Sequence, residues 1–101
     1  MTETVASDPR LLRLAEGDTV MIVIAPIAAG ERFVVEGVTV EAAVTLPLGF
    51  KIAIRDLEEG SVAVRYGMPI GRLTRAAGRG ELVHTHNLES LYMRTHARGE
   101  A

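Results

Sequence analysis

The residues in this chain that could do chemistry are two histidines near its C-terminal end. His84 and His86 stand two positions apart, and the pattern predicts that they end a strand over residues 82–85. Residues two apart on a strand project from the same face, so both imidazoles would point one way. Neutral imidazole is the commonest transition-metal ligand, and it also serves as a general acid or base.

Two interpretations of this histidine pair stay open on these residues alone. The pair could hold a transition metal, or act as acid and base beside a carboxylate substrate, although catalytic metal sites use at least three protein ligands. No further His, Asp or Glu stands at a matching spacing nearby. The other interpretation is a solvated strand end whose histidines make ordinary hydrogen bonds.

A second set of candidate residues lies on the predicted strand 51–55. Strand alternation places Lys51, Ala53 and Arg55 on one face. That face could bind an anionic substrate or an acidic patch on another subunit, because Arg binds carboxylates in a bidentate way. The alternative is the solvent-facing side of a half-buried strand. Tyr66 and Gly67 close the following strand, where a structural turn is expected.

Length and composition limit the classes of function. A chain of 101 residues is the size of one domain. Without Cys it has no disulfide framework, thiolate metal site or Cys nucleophile, and a reducing, cytoplasmic location is expected. A net charge of -2 with scattered arginines gives no basic patch for nucleic acid. No P-loop, dinucleotide fingerprint or Ser-His-Asp set is present.

Two further segments argue against export and against a membrane. Residues 1–9 have neither the basic nor the apolar region of a secretory signal. The longest apolar run, residues 20–29, is shorter than the roughly 20 residues that cross a bilayer, and Pro26 interrupts it. We therefore expect a protein that neither enters the secretory route nor inserts into a membrane.

Short strands joined by tight turns are expected along most of the chain. The hydrophobic share is 48% with no Trp and only two Phe, so the core must consist of Val, Ile, Leu and Ala, of which Val and Ile favour strands. Residues 1–10 are expected to form a flexible leader, because they offer little to pack. The predicted strands cover residues 11–14, 19–25, 32–35, 40–44, 51–55, 61–65, 69–73 and 82–85.

A short motif recurs four times between these strands: an apolar residue, two variable residues and Gly, at residues 27–30, 46–49, 57–60 and 77–80. Gly adopts a positive φ readily, and the apolar residue can hold the turn against the core. The even spacing suggests a compact β-clip or barrel-like assembly. After it, Asn87 can cap a helix with Leu88, Leu91, Tyr92 and Thr95 at helical spacing, so residues 89–101 are expected to form a tail or a short helix.

Three stretches together resemble the SAF domain of the altronate and galactarate dehydratase family. They are residues 46–57, 64–72 and 80–88, the last containing Val-His-Thr-His-Asn, and the resemblance covers roughly residues 11–88. It implies a mostly β fold, a small SAF or β-clip-like barrel. It also implies a domain that accompanies a much larger catalytic domain in enzymes that eliminate water from sugar acids. In some relatives, such as the sulfolactate sulfo-lyases, the small domain is a separate subunit.

The resemblance implies partners and site residues. The chain would be the small subunit of a carbon–oxygen or carbon–sulfur lyase, acting with a large dehydratase subunit on a sugar-acid carboxylate, and a homo-oligomer is compatible with this. His86 and His84 are the candidate catalytic residues and candidate metal ligands, while Lys51, Tyr66 and Asn87 are the candidate substrate contacts. Fe(II) or another divalent metal would be held largely by the partner. Phe50 stands where the family pattern has His, which removes a polar contact.

A different class of function stays open. β-Clip domains also serve as non-catalytic carbohydrate-binding or scaffolding modules, which would not need the two histidines. A free-standing hydrolase is supported only by the generic label of the family.

Overall fold

The computed structural model describes residues 6–90. These residues form nine short strands and no helix, so the expected mostly β fold is confirmed. Within this range no helix is long and apolar enough to cross a membrane. The strands are β1 (Leu11–Leu12), β2 (Val20–Val23), β3 (Arg32–Val35), β4 (Val38–Glu41), β5 (Lys51–Ala53), β6 (Val62–Arg65), β7 (Met68–Leu73), β8 (Leu82–Val83) and β9 (Leu88–Ser90).

The strands are arranged in three layers. An antiparallel sheet in the order β1-β2-β5-β8 forms the middle, the β3–β4 hairpin covers one face, and a sheet in the order β6-β7-β9 covers the other. The expected barrel is not found, because the three sheets are not joined into a closed one. Each glycine turn carries the chain from the middle sheet to an outer layer or back, which leaves the sheets separate.

Alternation along the middle strands feeds two apolar clusters, one on each face of the sheet. Met21 and Ile52 point into the first cluster, under the β3–β4 hairpin. Val20 and Ala53 point into the second, under the β6-β7-β9 sheet. The first cluster contains Leu11, Met21, Val23, Ile27, Phe33, Val35, Ala42, Leu46, Ile52 and Ile54. The second contains Val20, Ala53, Leu57, Ala63, Leu73, Ala77 and Val83.

The chain contains an internal repeat, in which residues 20–49 and residues 50–80 make the same hydrogen bonds. In the first repeat Gly30 N–H donates to the carbonyl of Ala42 (2.7 Å); in the second, Gly60 N–H donates to that of Leu73 (2.8 Å). Likewise the bridge between Ile27 and Leu46 recurs between Leu57 and Ala77. Equivalent positions lie 30 apart in the numbering up to Pro69 and 31 apart after Ile70.

Ile70 is the additional residue of the second repeat. Ala63 pairs with Gly71 and Val64 pairs with Pro69, which leaves Ile70 as a bulge between them. In the first repeat the equivalent hairpin is paired regularly from Arg32 to Glu41. The bulge therefore explains why the offset between repeats changes by one.

The four predicted glycine turns are confirmed. Gly30, Gly49, Gly60 and Gly80 have φ values of 86°, 89°, 89° and 83°, in the left-handed region that glycine adopts without a steric penalty. Each follows, by three positions, an apolar residue of an isolated bridge, Ile27 with Leu46 or Leu57 with Ala77. The motif therefore works as a folding device, placing the turns where the chain changes layer.

The two ends of the described chain differ from expectation. Residues 6–10 of the expected leader pack on the first hairpin: Asp8 N–H donates to the carbonyl of Val34 (2.8 Å) and Gly37 N–H to that of Ala6 (2.7 Å). Asn87 caps no helix, because residues 88–90 form β9 and pair with β7. Residues 1–5 and 91–101, including Leu91, Tyr92 and Thr95 of the predicted helix, lie outside the described residues.

Candidate functional site

His84 lies directly after β8, where it packs against Phe50. Lys51 and Val83 are paired across β5 and β8, and the residues next to them bring the two rings together with centroids 4.8 Å apart at 54°. The predicted strand over residues 82–85 was too long, because β8 ends at Val83 and residues 84–87 form a turn. The expectation that His84 and His86 share one face of a strand was therefore wrong.

Asn87 braces this turn and is not available to a ligand. Its Oδ1 accepts the N–H of His84 (2.9 Å), and its Nδ2 donates to the carbonyl of Leu82 (2.9 Å). Its own N–H donates to the carbonyl of His84 (2.9 Å), and the residue is fully buried, with 0% exposure. Asn87 thus positions His84 and the start of β9, and a substrate cannot reach it in this conformation.

His86 is exposed and lines an open groove of about 670 Å³. Glu41, Thr45 and Glu81 contribute polar groups to the groove walls, and Leu46 and Pro47 contribute apolar ones. His84 is not among the lining residues. The two histidines therefore have different surroundings, one on an aromatic ring and one at the rim of a groove.

The residues described by the structure do not make a metal site by themselves. No group of three or more His, Cys, Asp or Glu in residues 6–90 is arranged to hold a metal ion. A catalytic metal site needs at least three protein ligands. His84 and His86 have different surroundings, and no third ligand among residues 6–90 joins them. The donor groups of residues 6–90 do not fit a metal held by these residues alone.

Lys51 is a half-buried cation in the middle sheet. It pairs with Ile22 on one side and with Val83 on the other, so apolar residues flank it. Burial, followed by the positive charge of Arg65, lowers the pKa of the Lys51 ammonium below its usual range. Arg55 lies beyond the end of β5, so the predicted face retains Lys51 and Ala53 but not Arg55.

Arg65 is the last residue of β6, in an outer sheet, and Tyr66 follows it. Tyr66 occupies the turn after β6 with a positive φ of 55°, and 68% of its surface is exposed. Arg65 was not singled out from the sequence, although its charge acts on Lys51. Arg65 lies near Lys51 only because of the way the outer sheet packs on the middle sheet, and no local sequence pattern reveals that packing. The repeat offset is the sequence signal that could have revealed it.

Asp18, which was also missed, holds the turn that carries Tyr66. The carboxylate is fully buried and accepts three backbone N–H groups, from Ala15 (3.0 Å), Tyr66 (2.8 Å) and Gly67 (2.9 Å). Burial alone would raise the pKa of Asp18, but these N–H donors and the charge of Arg13 outweigh it and lower the pKa. Its partners lie 48 and 49 residues away, so sequence context gave no sign of them.

The sequence that forms these strands and turns is similar to that of known proteins. A family model of the altronate/galactarate dehydratase SAF domain matches residues 9–91. This chain belongs to that family. The match contains every described strand of the SAF domain, with the cations at Lys51 and Arg65 and the turn of His84 to Asn87.

Relatives of this SAF domain include enzymes of two kinds. Altronate dehydratase of Bacillus subtilis (strain 168) is 32% identical over 79 residues, which are 78% of this chain and 16% of the enzyme. The (2R)-sulfolactate sulfo-lyase subunit alpha of Chromohalobacter salexigens is 42% identical over 45 residues, which are 45% of this chain and 48% of that subunit. The chain thus spans about a sixth of the dehydratase and about half of the sulfo-lyase subunit.

This SAF domain carries several chemical groups in the described residues. Lys51 and Arg65 carry positive charges, Tyr66 carries a hydroxyl group, and His84 and His86 carry imidazole rings. These groups belong to different elements, and His86 faces a groove that Lys51 does not line. The described residues thus contribute parts of a site.

Proposed function

We propose that this SAF domain is the small component of a lyase that eliminates water or sulfite from a hydroxylated carboxylate, and that a much larger catalytic chain completes the active site. Family membership over residues 9–91 carries this proposal. The relatives named as subunit alpha support a component that works beside another chain. The scattered set of chemical groups in residues 6–90 supports it as well, because elimination needs more groups than they bring together.

Elimination beside a carboxylate removes the proton on the adjacent carbon and expels a hydroxyl or sulfonate group. A base takes the proton, and an acid assists departure of the leaving group. His86 is the first candidate for either role, since it is exposed at the rim of the groove, and His84 is the second. Lys51 and Tyr66 are the candidate contacts for the carboxylate and a hydroxyl of the substrate.

Phe50 gives this family member an apolar surface beside His84. The ring centroids of Phe50 and His84 lie 4.8 Å apart with their planes tilted by 54°. Phe50 stands where the resemblance implies a His. We infer that this chain serves a substrate other than altronate, because a hydroxyl group facing Phe50 would lose a hydrogen-bond partner.

A divalent ion such as Fe(II) enters this proposal only through the larger chain. The described residues do not complete a metal site, so its ligands would come chiefly from the partner. The contribution of this chain is to bind the substrate and to exchange a proton.

The test is reconstitution with a candidate large chain. The two chains are expressed together, purified as a complex, and assayed with sugar acids and sulfolactate, with ferrous iron added. We expect elimination only when both chains are present, and a loss of about 100-fold in kcat for His86→Ala. Thr85→Ala, an exposed change in the same turn, is the matched control and should retain activity.

The contrary result is equally clear. If the large chain is fully active alone, or if His86→Ala and His84→Ala both turn over like Thr85→Ala, then the catalytic role fails. A non-catalytic carbohydrate-binding module would then be the better account of the SAF domain.

A further inference from the structure

The internal repeat places two cations where the other half of the molecule has core residues. Lys51 is equivalent to Met21, and Arg65 is equivalent to Val35, each 30 positions later. Met21 and Val35 are 4% and 0% exposed and belong to the same apolar cluster. In the first repeat these two backbone positions hold an apolar pair that packs in the core. In the second repeat they hold two positively charged side chains.

The geometry of the second repeat brings Lys51 and Arg65 to one edge of the second cluster. Lys51 lies two residues before Ala53 on β5, and Arg65 lies two residues after Ala63 on β6, while both alanines are fully buried in that cluster. Side chains two apart on a strand share a face. Thr19 links the two strands: its N–H donates to the carbonyl of Val64 (3.0 Å), its Oγ1 accepts the N–H of Val64 (2.9 Å), and its carbonyl accepts the N–H of Ile54, the residue after β5 (2.9 Å).

No carboxylate of the described chain neutralises this pair. The side chains of Lys51 and Arg65 have no hydrogen bond or ion pair within residues 6–90, and the positive charge of Arg65 lowers the pKa of Lys51 where a nearby carboxylate would raise it. Elsewhere Arg10 is bound by Asp8 and Glu31. Lys51 is half-buried and Arg65 is exposed, so their like charges repel at the edge of the second cluster, and an anion between them would relieve that repulsion.

We propose that Lys51 and Arg65 form a subsite for the carboxylate of a small hydroxylated ligand, with Ile22 and Val83 as apolar flanks of the lysine. The arginine offers a planar fork to two carboxylate oxygens, and the ammonium supplies a second charge. Asp18 acts as a positioning residue, since it fixes the turn that follows Arg65. The identification of this ligand with the lyase substrate rests on the proposed function; the subsite itself does not.

The direct test is a nuclear magnetic resonance titration of the full chain with glycerate, and with glycerol as the uncharged probe of the same carbon frame. We expect glycerate to shift the amide signals of Ile22, Lys51, Arg65 and Val83 in a saturable way, and glycerol to leave them in place. Lys51→Met and Arg65→Gln should each weaken glycerate binding about tenfold, as loss of a charged hydrogen bond does. Arg75→Gln, an exposed arginine outside the pair, is the matched control and should bind like the wild type.

Equal shifts from glycerate and glycerol, or equal binding by all three variants, would overturn the subsite. Absence of saturable shifts at these residues would overturn it too. Chemical shifts of the remaining amides in each variant show whether the fold is retained. Saturable glycerate binding in a chain that activates no partner would leave the subsite in place and refute the proposed lyase, so the two ideas fail separately.

Discussion

The two repeats differ in what holds the turn of each hairpin. In the first, the N–H groups of Glu36 and Gly37 donate to Ser7 Oγ (2.8 Å) and to the carbonyl of Ala6 (2.7 Å). In the second, the equivalent N–H groups of Tyr66 and Gly67 donate to the two oxygens of Asp18. Neutral acceptors from the start of the described chain thus do the work that one buried carboxylate does in the other repeat.

This difference indicates which of the two hairpin turns is held more firmly. Hydrogen bonds to a charged acceptor are stronger than neutral ones, and a buried carboxylate holds its donors in one geometry. The turn so fixed is the one next to Arg65, and it exposes Tyr66. The equivalent residue of the first repeat, Glu36, forms an ion pair with Arg13 and presents no comparable aromatic surface. The second hairpin therefore combines a charged anchor with an exposed aromatic side chain.

The largest effect is expected from removing the charge of Asp18. Asp18→Asn keeps the size of the side chain but turns one acceptor oxygen into an NH₂ donor, so at least one of the three backbone N–H groups loses its acceptor, and we expect the free energy of unfolding to fall by about 3 kcal/mol. Urea denaturation measures this. Asp56→Asn is the control, because its carboxylate accepts the N–H of Arg79 at an exposed site and should cost less than about 1 kcal/mol. Equal losses would mean that burial of Asp18 is unimportant.

The next effect concerns β9, which the second repeat adds to its hairpin. A Cβ on Gly71 would lie 2.6 Å from the carbonyl oxygen of Glu89, so Gly71→Ala should push β9 away and cost about 2 kcal/mol. A Cβ on Gly78 would lie 3.8 Å from its nearest neighbouring atom, so Gly78→Ala should be nearly neutral. Thermal melts of the two variants measure the difference. A stable Gly71→Ala protein with unchanged β9 amide exchange would show that the close approach is not needed.

A smaller effect is expected at the equivalent anchor of the first repeat. Ser7→Ala removes the neutral acceptor of Glu36 N–H, which is half-buried and can bond to water instead, so the loss should be about 1 kcal/mol. Denaturant midpoints of Ser7→Ala and Asp18→Asn, measured side by side, compare the two anchors. A loss at Ser7 as large as that at Asp18 would remove the distinction between the repeats.

The smallest expected effect is a gain in stability when Lys51 is replaced by methionine, the residue at the equivalent position 21 of the first repeat. The pKa of Lys51 is lowered in the folded state, so its charged form costs stability at neutral pH, and that cost disappears as the pH rises through the lowered pKa. Lys51→Met should therefore raise the free energy of unfolding at pH 7 by less than about 1 kcal/mol, which would be seen as a slightly higher Tm. This gain over the wild type should shrink near pH 10. A lower Tm at pH 7 would show that Lys51 stabilises the fold.

Local features of the fold were predictable from the sequence. The glycine turns depend on a backbone conformation that few other residues adopt, so Gly30 and Gly60 can be placed without knowing the rest of the molecule. The strand at residues 32–35 was predicted with its observed bounds for a similar reason, since turns enclose it. Sheet partners were not predictable, because each turn leads to another layer and the pairing follows from the core as a whole.

The candidate site was predictable only in part. The residues alone indicated His84, His86 and Lys51, the resemblance added Tyr66, and the roles of all four stay predictions. Asn87 was misread because an Asn side chain closes a turn with the same bonds that cap a helix, and the pairing of β9 with β7 decides between them. Arg65 and Asp18 escaped because their partners lie in other layers. Aligning the chain with itself at 30 residues would have set Lys51 against Met21.

The most direct test of the account is the steady-state kinetics of the reconstituted lyase with Arg65→Gln and with Arg75→Gln. If this chain contributes the carboxylate subsite, Arg65→Gln should lower kcat/KM about tenfold with most of the change in KM, while Arg75→Gln should match the wild type. If the two variants are indistinguishable in an enzyme that requires both chains, the lyase stands but the carboxylate is bound elsewhere, and the central claim for Lys51 and Arg65 is wrong.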